Sequence, residues 1–137
     1  MPAIVADPDE VTADWLTEVL AHAGVQATVS TFTLEHVGTG QVGDNVRYRL
    51  QFSAGEGPGS IIIKFASQDP VSRETGKARR NYTKEVNFYR DLYPTVGIRT
   101  PRLLFADLAM PSQDFCIVME DLHPAVQGNQ ITGCSVA

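Results

Sequence analysis

Apolar residues recur with helical spacing near the start of the chain, in the stretch DPDEVTADWLTEVLAHAG. One face of the helix predicted there carries Val11, Trp15, Leu16, Val19, Leu20 and Ala23. Asp7 and Thr12 are alternative N-terminal caps, because either side chain can accept a hydrogen bond from a free backbone N–H. Gly24 is suited to end the helix because glycine tolerates the left-handed conformation common at that position. The pattern predicts an amphipathic helix whose first residue is left open.

The region that follows alternates with a period of two, as strands do. ATVSTFTLEHV is rich in β-branched and aromatic residues, and NVRYRLQFS alternates apolar with polar side chains. SIIIKFA is a short apolar strand after the turn-like AGEGPG, and PRLLFADL and DFCIVMEDL are two more strand candidates. Short turns between neighbouring strands favour antiparallel pairing.

Helical spacing returns in RNYTKEVNFYRDLY, where Tyr82, Val86, Tyr89 and Tyr93 share one face. Residues 67–79, which precede this helix, are predicted to form a polar loop. The complete order is helix, three strands, helix, two strands and a tail. This order predicts an α+β fold with an antiparallel sheet of about five strands, a packed helix and an additional N-terminal helix.

Composition and charge narrow the class of partner. The chain has 137 residues, is 43% hydrophobic and has a net charge of -5, so a nucleic-acid partner is not expected. It contains no apolar run near the roughly 18 residues of a membrane span, and its first residues lack the features of a secretion signal. Cys116, in an apolar run, and Cys134 do not have the spacing of a zinc site. We therefore expect a cytoplasmic location with reduced thiols.

The stretch VGTGQVGDNVRYRLQF contains the glycine spacing Gly38-x-Gly40-x-x-Gly43. A dinucleotide-binding fold requires a helix directly after this spacing, whereas an alternating strand follows here. A glycine loop between antiparallel strands is instead how protein-kinase-like enzymes cover nucleotide phosphates, because glycine lets the backbone approach a phosphate closely. A wide hairpin turn that binds no ligand is the alternative interpretation.

Lys64 is the single charged residue of the apolar segment IIIKF, and an unpaired ammonium is costly to bury. Alternation places Ile62 and Lys64 on the same face of this strand. Glu85 flanks the apolar stripe of the second helix, so a helix packed on the sheet would direct its carboxylate at Lys64; Glu74, in the predicted loop, is the rival partner. We predict a Lys64–Glu85 ion pair that holds the ammonium over nucleotide phosphates. An exposed lysine on an edge strand is the alternative.

The last predicted strand ends in VMEDL. In a kinase-like fold this segment is the hinge, where the peptide groups of Glu120 and Leu122 would meet the edge of an adenine. Met119 would pack near the base. An acidic strand end without a ligand is the alternative interpretation.

These segments, taken in order, resemble the N-terminal lobe of the aminoglycoside-phosphotransferase-like kinases, in particular the ecdysteroid-kinase-like branch and its bacterial relatives. The resemblance runs from about Asp7 to the C-terminus; Asn45 stands where protein kinases place a valine. It implies ATP with magnesium as the donor and a small-molecule hydroxyl as the acceptor. The nucleotide-binding residues that it implies are Gly38, Gly40, Gly43, Lys64, Glu85, Met119, Glu120 and Leu122.

The same resemblance implies a second, mostly helical lobe with a His-x-Asp catalytic loop and a later magnesium-binding aspartate. His123 is followed by Pro124 and Ala125, so this motif is not present. We therefore expect residues 1–122 to form the nucleotide-binding lobe with its hinge, and residues 123–137 to be a linker stub of a fragment that is inactive alone.

Two other interpretations of the function are consistent with the sequence. In the first, the chain is a non-catalytic module that binds a nucleotide or a partner protein. In the second, it is a plain α+β domain whose glycine loop is only a turn. The sequence names neither the acceptor nor the oligomeric state.

Overall fold

One five-stranded antiparallel sheet with the strand order β1-β2-β3-β5-β4 organises the chain. The structure is a computed structural model and describes residues 1–135. The strands are β1 (Ala27–Val37), β2 (Gly43–Gly55), β3 (Ser60–Ala66), β4 (Leu103–Leu108) and β5 (Phe115–Glu120). The predicted α+β class, strand number and antiparallel pairing are confirmed. Residues 122–135 follow β5 as an exposed tail.

The N-terminal helix, α1 (Ala13–His22), begins after Thr12, whose hydroxyl accepts a hydrogen bond from the N–H of the third helical residue. Asp7 instead caps a separate 3-10 turn over Pro8–Glu10. The sequence left these two caps open, and the structure gives each of them its own short element. Gly24 ends the helix with φ of +84°, in the left-handed region predicted for it.

Helix α1 covers one face of the sheet and forms the larger core with it. The side chains buried there include Trp15, Leu16, Val19 and Leu20 from the helix, and Val46, Tyr48, Ile61, Ile63, Phe65 and Val118 from the sheet. Apart from Val118 of β5, these sheet residues are apolar positions of the predicted alternation in β2 and β3, which is confirmed. Each buried side chain of this size stabilises the fold by about 1.5–3 kcal/mol relative to exposure.

The opposite face of the sheet is covered by α2 (Pro70–Ala78) and α3 (Asn81–Asn87), followed by a π-helical turn over Phe88–Leu92 and a 3-10 turn over Tyr93–Thr95. A second core cluster lies here: Tyr82 and Val86 of α3 pack against Phe115 and Ile117 of β5. The rings of Tyr82 and Phe115 stack with their centroids 4.6 Å apart. Since alternation turns Ile62 and Lys64 to this face, α3 is the helix that lies beside them.

The prediction of a loop over residues 67–79 is wrong, because α2 occupies most of it. Asp69 caps this helix by accepting a hydrogen bond from Ser72 N–H at 2.8 Å, and Pro70 fits its first turn. The helix has no apolar stripe, and Val71 is 74% exposed, so periodicity could not reveal it. Its buried contact is made by Gly76, which packs directly on the ring of Tyr82.

We predict that Gly76→Ala lowers the free energy of unfolding by about 1–2 kcal/mol. A Cβ at this position would lie 2.5 Å from Tyr82 Cζ, and that ring is fixed by its stacking on Phe115, so the overpacking outweighs the better helix propensity of alanine. Urea unfolding of the variant and of Gly97→Ala, where a Cβ meets open space, measures the effect. Equal stability of the two variants would contradict this packing account.

Candidate functional site

The face of the sheet beneath α3 contains the ion pair predicted from the sequence. Lys64 Nζ lies 2.8 Å from Glu85 Oε1, and the two side chains are 22% and 30% exposed. Strand β3 supplies the lysine and α3 supplies the glutamate, with the helix held by its buried neighbours. Lys84 and Glu74 are exposed, so the adjacent charges play no part in this pair.

The glycine loop joins β1 to β2 beside the ion pair. A Cβ on Gly43 would lie 2.9 Å from Lys64 Cε and 3.2 Å from the Phe65 carbonyl oxygen, so the absence of a side chain lets the lysine stem pass. A Cβ on Gly40 would collide with the carbonyl oxygen of Gly43. Gly38 has φ of +76°, which favours glycine. The loop is therefore tightly folded, and its last glycine touches Lys64.

Two hydrogen bonds tie the loop to α3 and to the end of β3. Tyr82 Oη donates to the Val42 carbonyl oxygen at 2.5 Å, and the Ser67 N–H donates to the same oxygen at 3.3 Å. The helix that carries Glu85 therefore also anchors the glycine loop. Burial raises the pKa of Tyr82, which keeps its hydroxyl protonated as a donor.

A cleft of about 510 Å³ opens between the glycine loop, the sheet and the segment after β5. It is lined by Val37, Gly38, Asn45, Arg47, Ile62, Pro101, Met119, Glu120, Asp121, Leu122, His123, Ala125, Val126 and Gln127. Four of the predicted residues are in this lining: Gly38, Met119, Glu120 and Leu122. The other four, Gly40, Gly43, Lys64 and Glu85, lie outside it. Lys64 is two residues beyond Ile62 on the same face of β3, so the ion pair continues the line of the cleft.

The most buried charged group at the cleft is one that the sequence analysis missed. Asp121 accepts hydrogen bonds from Arg47 Nε at 2.6 Å and Arg47 Nη2 at 3.2 Å, and its side chain is 4% exposed. Ser60 Oγ donates to it at 2.6 Å and the His123 N–H at 3.0 Å. Arg47 also donates to Glu35 at 3.0 Å. The segment after β5 is thereby fastened to β2 and to the first residue of β3.

Burial acts to raise the pKa of Asp121, but the hydrogen bonds from Arg47, Ser60 and His123 N–H outweigh it and hold the pKa at about 2. The bonds to Asp121 and Glu35 raise the pKa of Arg47. One signal in the sequence could have revealed the pair. Alternation in β2 puts Arg47 on the same face as Lys64, where a second cation also requires an acidic partner.

Residues 1–135 contain neither a group of possible metal ligands nor a helix able to span a membrane. No group of three or more His, Cys, Asp or Glu side chains in this range is placed to hold a metal ion. No helix there combines the length and apolar character needed to cross a membrane. Cys116 is buried and Cys134 exposed, and both are free thiols.

No protein-family model matches the chain, and no curated protein matches it significantly.

We predict that Asp121→Asn lowers the free energy of unfolding at pH 7 by about 2 kcal/mol. The folded-state pKa of about 2 lies below the ordinary aspartate value, so the stabilisation is complete above about pH 4 and is lost as the pH falls towards 2. The stability gap between wild type and variant should therefore close over that interval. Urea unfolding at several pH values measures it.

Asp91→Asn is the matched control because Asp91 is exposed. It should differ little from wild type at any of these pH values. A gap for Asp121→Asn that stays constant down to pH 2 would contradict the role assigned to the ionised carboxylate.

Proposed function

We propose that this chain is the nucleotide-binding lobe of an ATP-dependent phosphotransferase that acts on a small-molecule hydroxyl. The observation that carries the proposal is the Lys64–Glu85 pair, 2.8 Å apart, against Gly43 of the glycine loop and in line with the cleft. An ammonium and a closely folded glycine loop at one end of a cleft are suited to a chain of phosphates.

Lys64 has three N–H donors, and Glu85 accepts one of them. The carboxylate fixes the position of Nζ, while the other donors can reach phosphate oxygens. Gly43 leaves room for the lysine stem, and the backbone of the loop can approach an anion because no side chain intervenes. ATP, when bound, supplies the phosphoryl group; these residues would bind and orient it.

The opposite end of the cleft is suited to a base. Ile62 and Met119 offer apolar surface, and the peptide groups of Glu120 and Leu122 lie in the same lining. A volume of about 510 Å³ is within the range of cofactor pockets. The Glu120 N–H donates to the Arg102 carbonyl oxygen and the Leu122 carbonyl oxygen accepts from the Ala125 N–H, so we assign the Glu120 carbonyl and the Leu122 N–H to recognition of the adenine edge.

No group of three or more possible metal ligands occurs within residues 1–135, and the magnesium ligands of the proposed reaction are expected outside this lobe. The chain alone is proposed to bind the nucleotide without completing phosphoryl transfer, which also requires a positioned acceptor.

A second candidate is a module that binds a partner protein. Leu122 and Val126 line the cleft and are exposed apolar side chains. Apolar groups exposed at a cleft favour coverage by another protein surface. A partner carrying a His-x-Asp motif would be consistent with both candidates, since it would supply the groups that transfer requires.

We predict that Lys64→Met weakens binding of a non-hydrolysable ATP analogue by about tenfold or more, since charge-assisted hydrogen bonds to phosphate are worth about 1.5–3 kcal/mol. Isothermal titration calorimetry of the purified chain measures the affinity. Lys84→Met removes the same charge from the exposed side of α3 and should bind like wild type.

Urea unfolding of both variants separates lost binding from lost folding. If the wild-type chain binds no analogue, or if a folded Lys64→Met variant binds as tightly as wild type, the proposed function is wrong. The plain α+β domain would then be the better description.

A further inference from the structure

Asp121 lines the cleft, but the nucleotide-binding proposal gives it no role. We propose that Asp121 is a positioning residue that makes one end of the cleft suited to a base and leaves the other end to the phosphates. It holds the hinge in place for the base and withdraws Arg47 from competition for the phosphates. This inference rests on the proposed function, because it concerns the same cleft.

The hydrogen bonds of Asp121 join the hinge to the sheet. Asp121 accepts them from Arg47 in β2, from Ser60 at the start of β3 and from the N–H of His123, directly after the hinge. The hinge cannot move relative to β2 and β3 without breaking one of them. The peptide groups of Glu120 and Leu122, which flank Asp121 on either side, are held at the cleft by the same contacts.

The charge of Arg47 affects where in the cleft phosphates would bind. Arg47 lines the cleft and pairs in register with Ile62, two residues from Lys64 on β3. A free guanidinium binds phosphate at least as well as an ammonium does, because it can form two parallel hydrogen bonds. Left unpaired, Arg47 would therefore attract phosphates to the base end of the cleft.

The guanidinium of Arg47 is committed to carboxylates instead. Two of its nitrogens donate to Asp121, and a third donates to Glu35 at 3.0 Å. The base end is thereby neutralised, whereas Lys64 with its single carboxylate partner remains the phosphate end. The nucleotide then has one preferred orientation, with its base against the hinge.

The test measures affinities of the 137-residue chain for ATP, GTP and inorganic tripolyphosphate by calorimetry. For wild type we expect ATP to bind more tightly than GTP. In Asp121→Asn we expect ATP affinity to fall about tenfold, the size of one charge-assisted hydrogen bond, and the ATP-to-GTP ratio to fall towards one. Tripolyphosphate, which has no base, should bind as well as before or more tightly, because Arg47 then has Glu35 as its one remaining carboxylate partner.

Two further variants sharpen the test. The double variant Arg47→Met with Asp121→Asn should return tripolyphosphate affinity to the wild-type value without restoring the ATP-to-GTP ratio. Ser60→Ala removes one hydrogen bond to Asp121 and should shift the ratio in the same direction by less; it provides the test if Asp121→Asn does not fold. Asp91→Asn, at an exposed site, should match wild type.

The outcomes distinguish the two proposals. If Lys64→Met loses ATP but folded Asp121→Asn or Ser60→Ala keeps the wild-type ratio and tripolyphosphate affinity, the role of Asp121 is refuted and the nucleotide site stands. A uniform loss of affinity for all three ligands would show a merely structural role and also refute it. If the wild-type chain binds neither ATP nor tripolyphosphate, both proposals fail.

Discussion

The ion pair between Lys64 and Glu85 lies where β3, α3 and the glycine loop meet. An ammonium on the inner face of an apolar strand needs a carboxylate nearby, and here a helix packed on that face provides it. Helix α3 meets this requirement because Tyr82 and Val86 are buried against β5, which fixes the rotation of the helix and therefore the direction of Glu85. The Tyr82 hydroxyl in turn holds the glycine loop through the Val42 carbonyl. Lys64, α3 and the glycine loop are therefore joined by direct contacts.

Two ion pairs, one in the lining of the cleft and one outside it, join elements that are distant in sequence. Lys64 and Glu85 connect β3 to α3, and Arg47 and Asp121 connect β2 to the segment after β5. Both cations lie on the same face of the sheet, as the alternation of β2 and β3 requires. Their carboxylate partners differ in number, since Lys64 has Glu85 alone whereas Arg47 has both Asp121 and Glu35.

The sequence predicted the parts of this arrangement that depend on periodicity. Alternation in β2 and β3 set the buried face, and the stripe of α3 placed Glu85 at its flank, so the ion pair followed from two local patterns. Helix α2 escaped prediction because it packs through Gly76 and has no apolar stripe. Asp121 was missed for a different reason. Its partner Arg47 is 74 residues away, and only the pairing of β3 with both β2 and β5 brings the two together.

The Arg47–Asp121 and Lys64–Glu85 pairs contribute differently to the stability of the folded state. Asp121 is 4% exposed with a pKa of about 2, so its contacts stabilise the folded state substantially. The Lys64–Glu85 pair is 22% and 30% exposed, and pairs so accessible to water contribute about 0–1 kcal/mol. Two apolar residues of similar volume would support the sheet and α3 as well or better. The fold therefore gains little from this pair. A charged pair that is partly exposed, weakly stabilising and set against a glycine loop is better explained by an anionic ligand than by the needs of folding, and this is the physical reason to favour the proposed nucleotide over a plain hairpin turn.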